Sequence, residues 1–249
     1  MNQRHHDIVQ WVNANGRQSL QTVAEKFSVS VQTIRADIRL LTEKGLILRS
    51  HGEVIPFPHR ENISFDQRRI RNAFGKQHIA ALCRTKLADY QTIFLGSGSS
   101  VSEVANQLTG LQGLQVMTTN LHAARNLCEH PDCELTISGG RVRMRDQDII
   151  GGDAMRFFQH YRADIGIFSV AAVNKSGQLF DFTDEEVMAR EALIEHCHYR
   201  ILLIDSTKFE MESRCLSGKI SDYDCVITDV EPSASLLSQL HYQGVNLLF

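Results

Sequence analysis

LQTVAEKFSVSVQTIRADIRLLTEKG, residues 20–45, is the stretch that decides the architecture. Behind Ser19, a good N-cap, Leu20, Val23, Ala24 and Phe27 recur at i, i+3, i+4 and i+7, which predicts a short helix ending near Ser28. The residues SVS then make a tight turn. Ser30 caps a second helix in which Ile34, Ile38 and Leu41 form the buried stripe and Gly45 supplies the stop. Two short helices joined by a tight turn form a helix-turn-helix. Gln32, Thr33, Arg35, Ala36 and Arg39 point away from the apolar stripe. Gln pairs bidentately with adenine, Arg with guanine, and a helix N-terminus attracts phosphate, so the first half of this helix suits a major groove. The same pattern also fits a three-helix packing module with a solvated polar face.

Upstream, Ile8, Val9, Trp11 and Val12 give residues 4–15 close to helical spacing, and Gly16 ends that first helix. Downstream, LILRSHGEVIP (46–56) alternates through a strand, turns around Ser50 to Gly52 and returns as a second strand. Such a hairpin is a wing beside the recognition helix, carrying Arg49 and His51 toward DNA backbone or minor groove. The expected DNA-contacting set is Ser30, Gln32, Thr33, Arg35, Arg39, Arg49 and His51. The net charge of −3 and pI of 6.4 argue against a nucleic-acid partner only as averages. Residues 1–76 hold 12 Lys/Arg against 7 Asp/Glu, while residues 77–249 hold 14 against 22. A small basic head precedes a larger acidic body.

The 249 residues exceed the usual single-domain range of roughly 100 to 200. A hydrophobic share of 43% and a charged share of 22% exclude disorder, collagen-like repeats and coiled coils. Aliphatic runs such as ILLI (201–204) fall far short of the roughly 20 apolar residues a membrane span needs, so no membrane role is expected. The N-terminus lacks a basic-then-apolar signal, and six irregularly spaced cysteines do not read as a disulfide framework. A reducing cytoplasm is expected. VIPFPHRENI (54–63) holds two of the four prolines and marks a boundary. The expected division is a DNA-binding domain at 1–57, a linker with the start of a connecting helix at 58–75, and a sensor domain at 76–249. Ser64 and Gln67 have capping-box spacing, opening one long helix or two joined near Gly75.

The body alternates strand and helix patterns, from TIFLG (92–96) to VNLLF (245–249). Strands without clear polar alternation, interleaved with helices, predict a largely parallel sheet covered on both faces. The fold class is therefore an α+β winged helix-turn-helix followed by an α/β, largely parallel-sheet domain. In such sheets ligands sit beyond the carboxyl ends of the strands. The loop there at Gly96–Ser97–Gly98–Ser99–Ser100 has glycines for close backbone approach and hydroxyls suited to phosphate. It is neither a dinucleotide fingerprint nor a P-loop, and an ordinary capped turn has the same residues. Thr118, Thr119 and Asn120, then Gly139, Gly140 and Arg141, then Asp205, Ser206, Thr207 and Lys208 add further polar loops. Glu186 can accept hydrogen bonds from sugar hydroxyls, though its spacing from Thr183 also makes a capping box.

The run VSVQTIRADIRLL, the wing ILRSHGEV and the spacing of Arg4 to Ile8 resemble the DeoR family of bacterial transcriptional regulators, including its glycerol-3-phosphate repressor type. The family's recognition-helix pattern S-x-x-T-[IV]-R-R-D-[IL] is matched by Ser30, Thr33, Ile34, Arg35, Asp37 and Ile38. Ala36 stands where most members have a second Arg, and Glu53 where the wing usually has a second Gly. The resemblance continues through the body, whose family fold is similar to ribose-5-phosphate isomerase and CoA-transferase. The family loops correspond to Gly96 through Ser100, Thr119 and Asn120, Gly139 and Gly140, Glu186, and Asp205 through Lys208. Gly96 replaces a common Asp, and Arg143 only approximately matches the family's arginine. The resemblance implies a repressor of a carbohydrate or polyol catabolic operon. Its expected effector is a phosphorylated sugar or polyol, bound by Ser97, Gly98, Ser99, Ser100, Thr119, Asn120, Gly140, Glu186, Asp205 and Lys208. Expected partners are double-stranded operator DNA and further copies of the chain, as a homodimer or homotetramer.

The rival reading is a sugar-phosphate isomerase or transferase using Glu186, Asp205 and Lys208 as acid, base and electrostatic partner. An attached DNA-reading head makes sensing the more economical role, and no catalytic residue is assigned. No cofactor is expected. Neither HCH (196–198) nor the pair Cys128 and Cys133 has established zinc-site spacing, so no metal is expected either.

Overall fold

The computed structural model describes residues 3–43, 46–50, 52–56 and 63–249. The chain divides into two compact units, Met1–Phe74 and Gly75–Phe249.

The first unit contains α1 (Gln3–Asn15), β1 (Gln18–Ser19), α2 (Leu20–Lys26), α3 (Val31–Glu43), β2 (Ile47–Ser50) and β3 (Glu53–Pro56). Three of these helix boundaries follow from local chemistry. Gly16, at φ +73°, closes α1 with its N–H on the Val12 carbonyl. The Ser19 hydroxyl accepts the Thr22 N–H at 3.0 Å, and Ser30 accepts that of Thr33 at 3.1 Å. The apolar positions then meet in one cluster of Ile8, Val12, Leu20, Val23, Ile34, Ile38, Leu41, Ile47 and Val54, with Trp11 edge-on to Phe27. β3 lies between β1 and β2 in an antiparallel sheet that places Arg49 opposite Val54. The short β1 was not expected; two residues show no period. The predicted stop at Gly45, His51 in the wing turn and residues 57–62 of the proline-containing segment lie outside the described residues.

α4 (Phe65–Ile70) opens on the expected Ser64–Gln67 capping box. It is followed by α5 (Ala73–Arg84). The break expected near Gly75 falls instead at Arg71 and Asn72, where Arg71 is extended and Asn72 takes φ +51°. Asn tolerates that left-handed conformation, so the helix stops there while Gly75 sits buried inside α5.

The body continues with β4 (Thr92–Leu95), α6 (Ser99–Ala105), β5 (Leu114–Thr118), α7 (Leu121–Leu127) and β6 (Cys133–Ile137). Next come β7 (Arg141–Arg143), β8 (Asp148–Ile150), α8 (Gly152–Gln159), β9 (Ala163–Ser169), β10 (Ala172–Val173) and β11 (Gln178–Asp181). The chain ends with α9 (Asp184–Ile194), β12 (Cys197–Ile204), a 3-10 turn at Ser206–Lys208, β13 (Cys215–Lys219), β14 (Cys225–Thr228), α10 (Ala234–Tyr242) and β15 (Asn246–Leu248).

Seven strands form one sheet in the order β15-β14-β12-β9-β4-β5-β6, and every neighbouring pair is parallel. Successive residues of a strand enter different cores. Ile93, Leu95, Ile167 and Leu203 pack on one face, while Phe94, Phe168, Leu202 and Ile204 pack on the other. That period of two is why the strands read as unbroken apolar runs. Gly166 in β9 is needed for packing: a Cβ there would collide with Cys197 Sγ and come within 2.6 Å of the Phe168 ring. From β4 the chain winds through β5 and β6 to one edge, then returns to β9 and winds to the other. The direction therefore reverses between β4 and β9, the place where open α/β sheets bind ligands. The β7–β8 hairpin and the antiparallel β10-β11-β13 sheet lie outside the expected alternation of parallel strands and helices. No described helix is long and apolar enough to cross a membrane.

Candidate functional site

On α3, Gln32, Arg35, Ala36 and Arg39 are exposed, and Arg39 faces Glu43 at 3.7 Å across one helical turn. Ser30 and Thr33 sit at the helix start with their hydroxyls 2.8 Å apart, completing the N-cap. Arg49 is exposed on β2. Behind this surface lies a residue to which the sequence reading gave no role. Asp37, buried in the apolar stripe, accepts hydrogen bonds from Arg4 Nε on Oδ2 at 2.9 Å and from Arg4 Nη2 on Oδ1 at 3.2 Å, and His5 Nε2 lies 3.0 Å from the same Oδ1. Burial alone would raise the Asp37 pKa, but the hydrogen bonds and charges of Arg4 and His5 outweigh it and hold the carboxyl below its ordinary value. The available signal was a carboxylate between Ile34 and Ile38, where only a paired charge is tolerated. Glu53 in the wing pairs with Arg17 at 3.1 Å, which keeps its charge in partial balance.

In the body, the loops at the carboxyl edge interlock. Gly96 donates its N–H to the Ile167 carbonyl of β9 at 3.0 Å, and Gly98 takes φ +103°. Thr118, at the end of β5, donates to the Leu95 carbonyl at 2.7 Å. Asn120 donates to the carbonyls of Gly96 and Gly98 at 3.3 and 3.0 Å, while its own side-chain oxygen caps α7. Ser169, at the end of β9, accepts from Lys208 Nζ at 2.6 Å and donates to the Leu203 carbonyl of β12. Asp205 accepts from Thr207 and lies 3.5 Å from Lys208 Nζ, and Asp229 after β14 holds Ser206. The ends of β4, β5, β9, β12 and β14 are thus tied together. The hydroxyls of Ser100, Ser138 and Thr228, all buried at this edge, have no hydrogen-bond partner among the described residues.

A second network centres on Arg143. Its guanidinium donates to Asp148 at 2.8 and 2.6 Å, to Thr183 Oγ1 at 3.2 Å and to Glu186 at 3.3 Å. Burial opposes its charge, but the carboxylates of Asp148, Glu186 and Asp146 drive its pKa above the usual arginine value, so it is charged at every relevant pH. Glu186 also accepts the N–H groups of Phe182 and Thr183, each at 3.1 Å, in the capping box its spacing foretold. Both its oxygens are therefore engaged by protein. The hairpin closes over the β5 loop through Ile149 N–H on the Thr119 carbonyl at 2.9 Å. Gly140 permits this approach at φ +142°, since a Cβ would lie 2.9 Å from Ile150 O. Thr119, Asn120 and Gly140 therefore come together, Glu186 joins them through Arg143, and Asp205 and Lys208 belong to the first network. Exposed loop arginines are common, so sequence alone did not single out Arg143 as a brace.

A winged helix-turn-helix with an exposed polar recognition face, followed by a parallel sheet with a polar carboxyl edge, defines a two-domain DNA-binding regulator. The model of the DeoR-like helix-turn-helix domain matches residues 4–56, and that of the DeoR C terminal sensor domain matches residues 71–230. The chain is 33% identical over 245 residues to the glycerol-3-phosphate regulon repressor of Escherichia coli, covering 98% of this chain and 97% of that one. Among solved structures, ribose 5-phosphate isomerase A of Methanocaldococcus jannaschii is similar over 54% of this chain and 53% of its own, at 14% identity and a TM-score of 0.39. The tetrameric eIF2B-beta2-delta2 complex of C. thermophilum is similar over 88% of this chain and 66% of its own, at 13% identity and a TM-score of 0.50. The last likeness concerns the fold alone. This chain belongs to the DeoR family of transcription regulators. It is a DNA-binding transcription regulator, and the curated relative it matches along nearly its whole length is named as a repressor, not as an isomerase or transferase.

Proposed function

We propose that the chain represses a carbohydrate or polyol catabolic operon and that a phosphorylated sugar or polyol modulates its hold on operator DNA. The head, residues 1–57, contacts DNA through Gln32, Arg35 and Arg39 in the groove and Arg49 and His51 from the wing. Ser30 and Thr33 shape the helix N-terminus that faces phosphate. The segment 58–75 links this head to the sensor at 76–249. There Ser97, Gly98, Ser99, Ser100, Thr119, Asn120, Gly140, Asp205 and Lys208 surround the effector, with Glu186 acting on its hydroxyls or through Arg143. The observation that carries this reading is Lys208. A cation is held 2.6 Å from Ser169 Oγ at the point where the sheet reverses direction, and a Cβ on Gly98 would lie 3.8 Å from Ser169 Cβ. That placement puts a positive charge beside a glycine loop, the pairing an organic phosphate needs. Orphan hydroxyls at the same edge supply further donors and acceptors. The protein works in the cytoplasm, in keeping with six free cysteines, and as a homodimer or homotetramer reading paired half-sites.

Operator release, followed by fluorescence anisotropy against a panel of sugar phosphates, their unphosphorylated parents and inorganic phosphate, tests this. One phosphorylated compound should shift operator affinity while its parent does not. If no member of the panel shifts it, the effector reading is wrong. Lys208→Ala should bind operator normally but need at least about tenfold more effector, the loss expected for a charge-assisted hydrogen bond. Release at the wild-type concentration would remove Lys208 from the site.

A further inference from the structure

The inward side of α3 is defined by Ile34, Asp37, Ile38 and Leu41. At 100° per residue, the stripe directly opposite consists of Gln32, Ala36, Arg39 and Glu43. Ala36 is thus near the centre of the face that reads the groove, and it is exposed. One turn further on, Leu40 is also exposed, at 37%, so Ala36 and Leu40 form an apolar strip beside the polar flank of Gln32, Arg35 and Arg39.

A methyl group at the centre of a reading face can neither donate nor accept a hydrogen bond. Set against the polar edge of guanine, adenine or cytosine, it would displace water and leave that edge unpaired. Among the four bases, only thymine presents an apolar group in the major groove, its 5-methyl. The short side chain also lets α3 approach that base closely while the longer Gln32, Arg35 and Arg39 reach to either side. We propose that Ala36 determines specificity by packing its methyl against the 5-methyl of a thymine in each operator half-site. This rests on the reading that α3 enters the major groove.

The test begins with selection of operator sequences from random duplex DNA by the full-length protein. Each thymine of the selected site is then replaced by uracil, which removes only the 5-methyl. One thymine per half-site should be sensitive, its replacement weakening wild-type binding roughly fourfold, the value of one buried methyl. In Ala36→Gly the same replacement should have no effect, even if the glycine weakens all binding uniformly through the helix. Ala36→Arg should select guanine at that position in place of thymine. Two results would overturn the proposal: a selected site with no sensitive thymine, or a sensitivity that persists unchanged in Ala36→Gly. A selection that enriches no sequence at all would instead strike the groove-reading role of α3, and the Ala36 contact with it.

Discussion

On the outer face of α3 the polar side chains stand in solvent, whereas at the carboxyl edge of the body sheet most are buried and bonded to one another. Arg39 is 77% exposed and leans on a neighbouring glutamate; Arg143 is 9% exposed and ties its own strand to β8 and the start of α9. The difference follows from what each surface meets. DNA brings a dense row of charges and its own bound counterions, so exposed cations gain by releasing those ions and need no prior desolvation. A small metabolite offers few contacts, so the residues that receive it must be fixed beforehand by a surrounding shell. The head therefore holds its geometry from behind, through Asp37, and the body holds it from within.

The strongest way to break this comparison is to remove the body's brace. Arg143→Met would leave Asp148 and Glu186 buried without their cation, and unfolding of the body should be easier by about 3 to 5 kcal/mol. Chemical denaturation followed by circular dichroism measures this, and a loss under about 1 kcal/mol would show that water already screens the site. In the head, Asp37→Asn should cost about 2 kcal/mol by weakening the bonds from Arg4 and His5. Because the folded-state carboxyl lies below its ordinary value of 3.8, its contribution is full above that value. It is lost as the pH falls through the lower folded-state pKa. Acid titration should thus destabilise the head of the wild type in that window, and the Asn variant should lack the same step.

How far the two regions were legible in the sequence differs for the same reason. The helix-turn-helix is built from local contacts at helical spacing, so Ile34, Ile38 and Leu41 announced the core and Gln32, Arg35 and Arg39 the outer face. The sheet-edge loops were found as candidates because Gly96 through Ser100 and Asp205 through Lys208 follow apolar strands. Which loops touch was not legible, because Lys208 reaches Ser169 across 39 residues and Arg143 reaches Glu186 across 43. The β7–β8 hairpin that sets the second contact has three-residue strands, too short to show a period. Asp37 was visible as a motif position, yet its partners lie more than 30 residues earlier, on α1.

Removing a charge from the exposed surface should have smaller and different effects. Arg35→Ala should weaken binding to the selected operator by about 1 to 3 kcal/mol, with discrimination relaxed at one base pair and thermal stability unchanged. A uniform loss across all sequences would make Arg35 a phosphate contact instead.

Glu53 gives the smallest effect and the sharpest contrast with Arg143. Its pair with Arg17 is exposed on both sides, at 39% and 64%, so breaking it should change stability by no more than about 1 kcal/mol. Its consequence for DNA is electrostatic. Glu53→Gln removes a negative charge from the wing and frees Arg17, so binding to any duplex should tighten modestly at low salt. The slope of log affinity against log salt should also steepen by up to about one unit if Arg17 then reaches a phosphate. An unchanged slope would place the Arg17–Glu53 pair away from the DNA and leave Arg49 as the cation of the wing that meets the backbone.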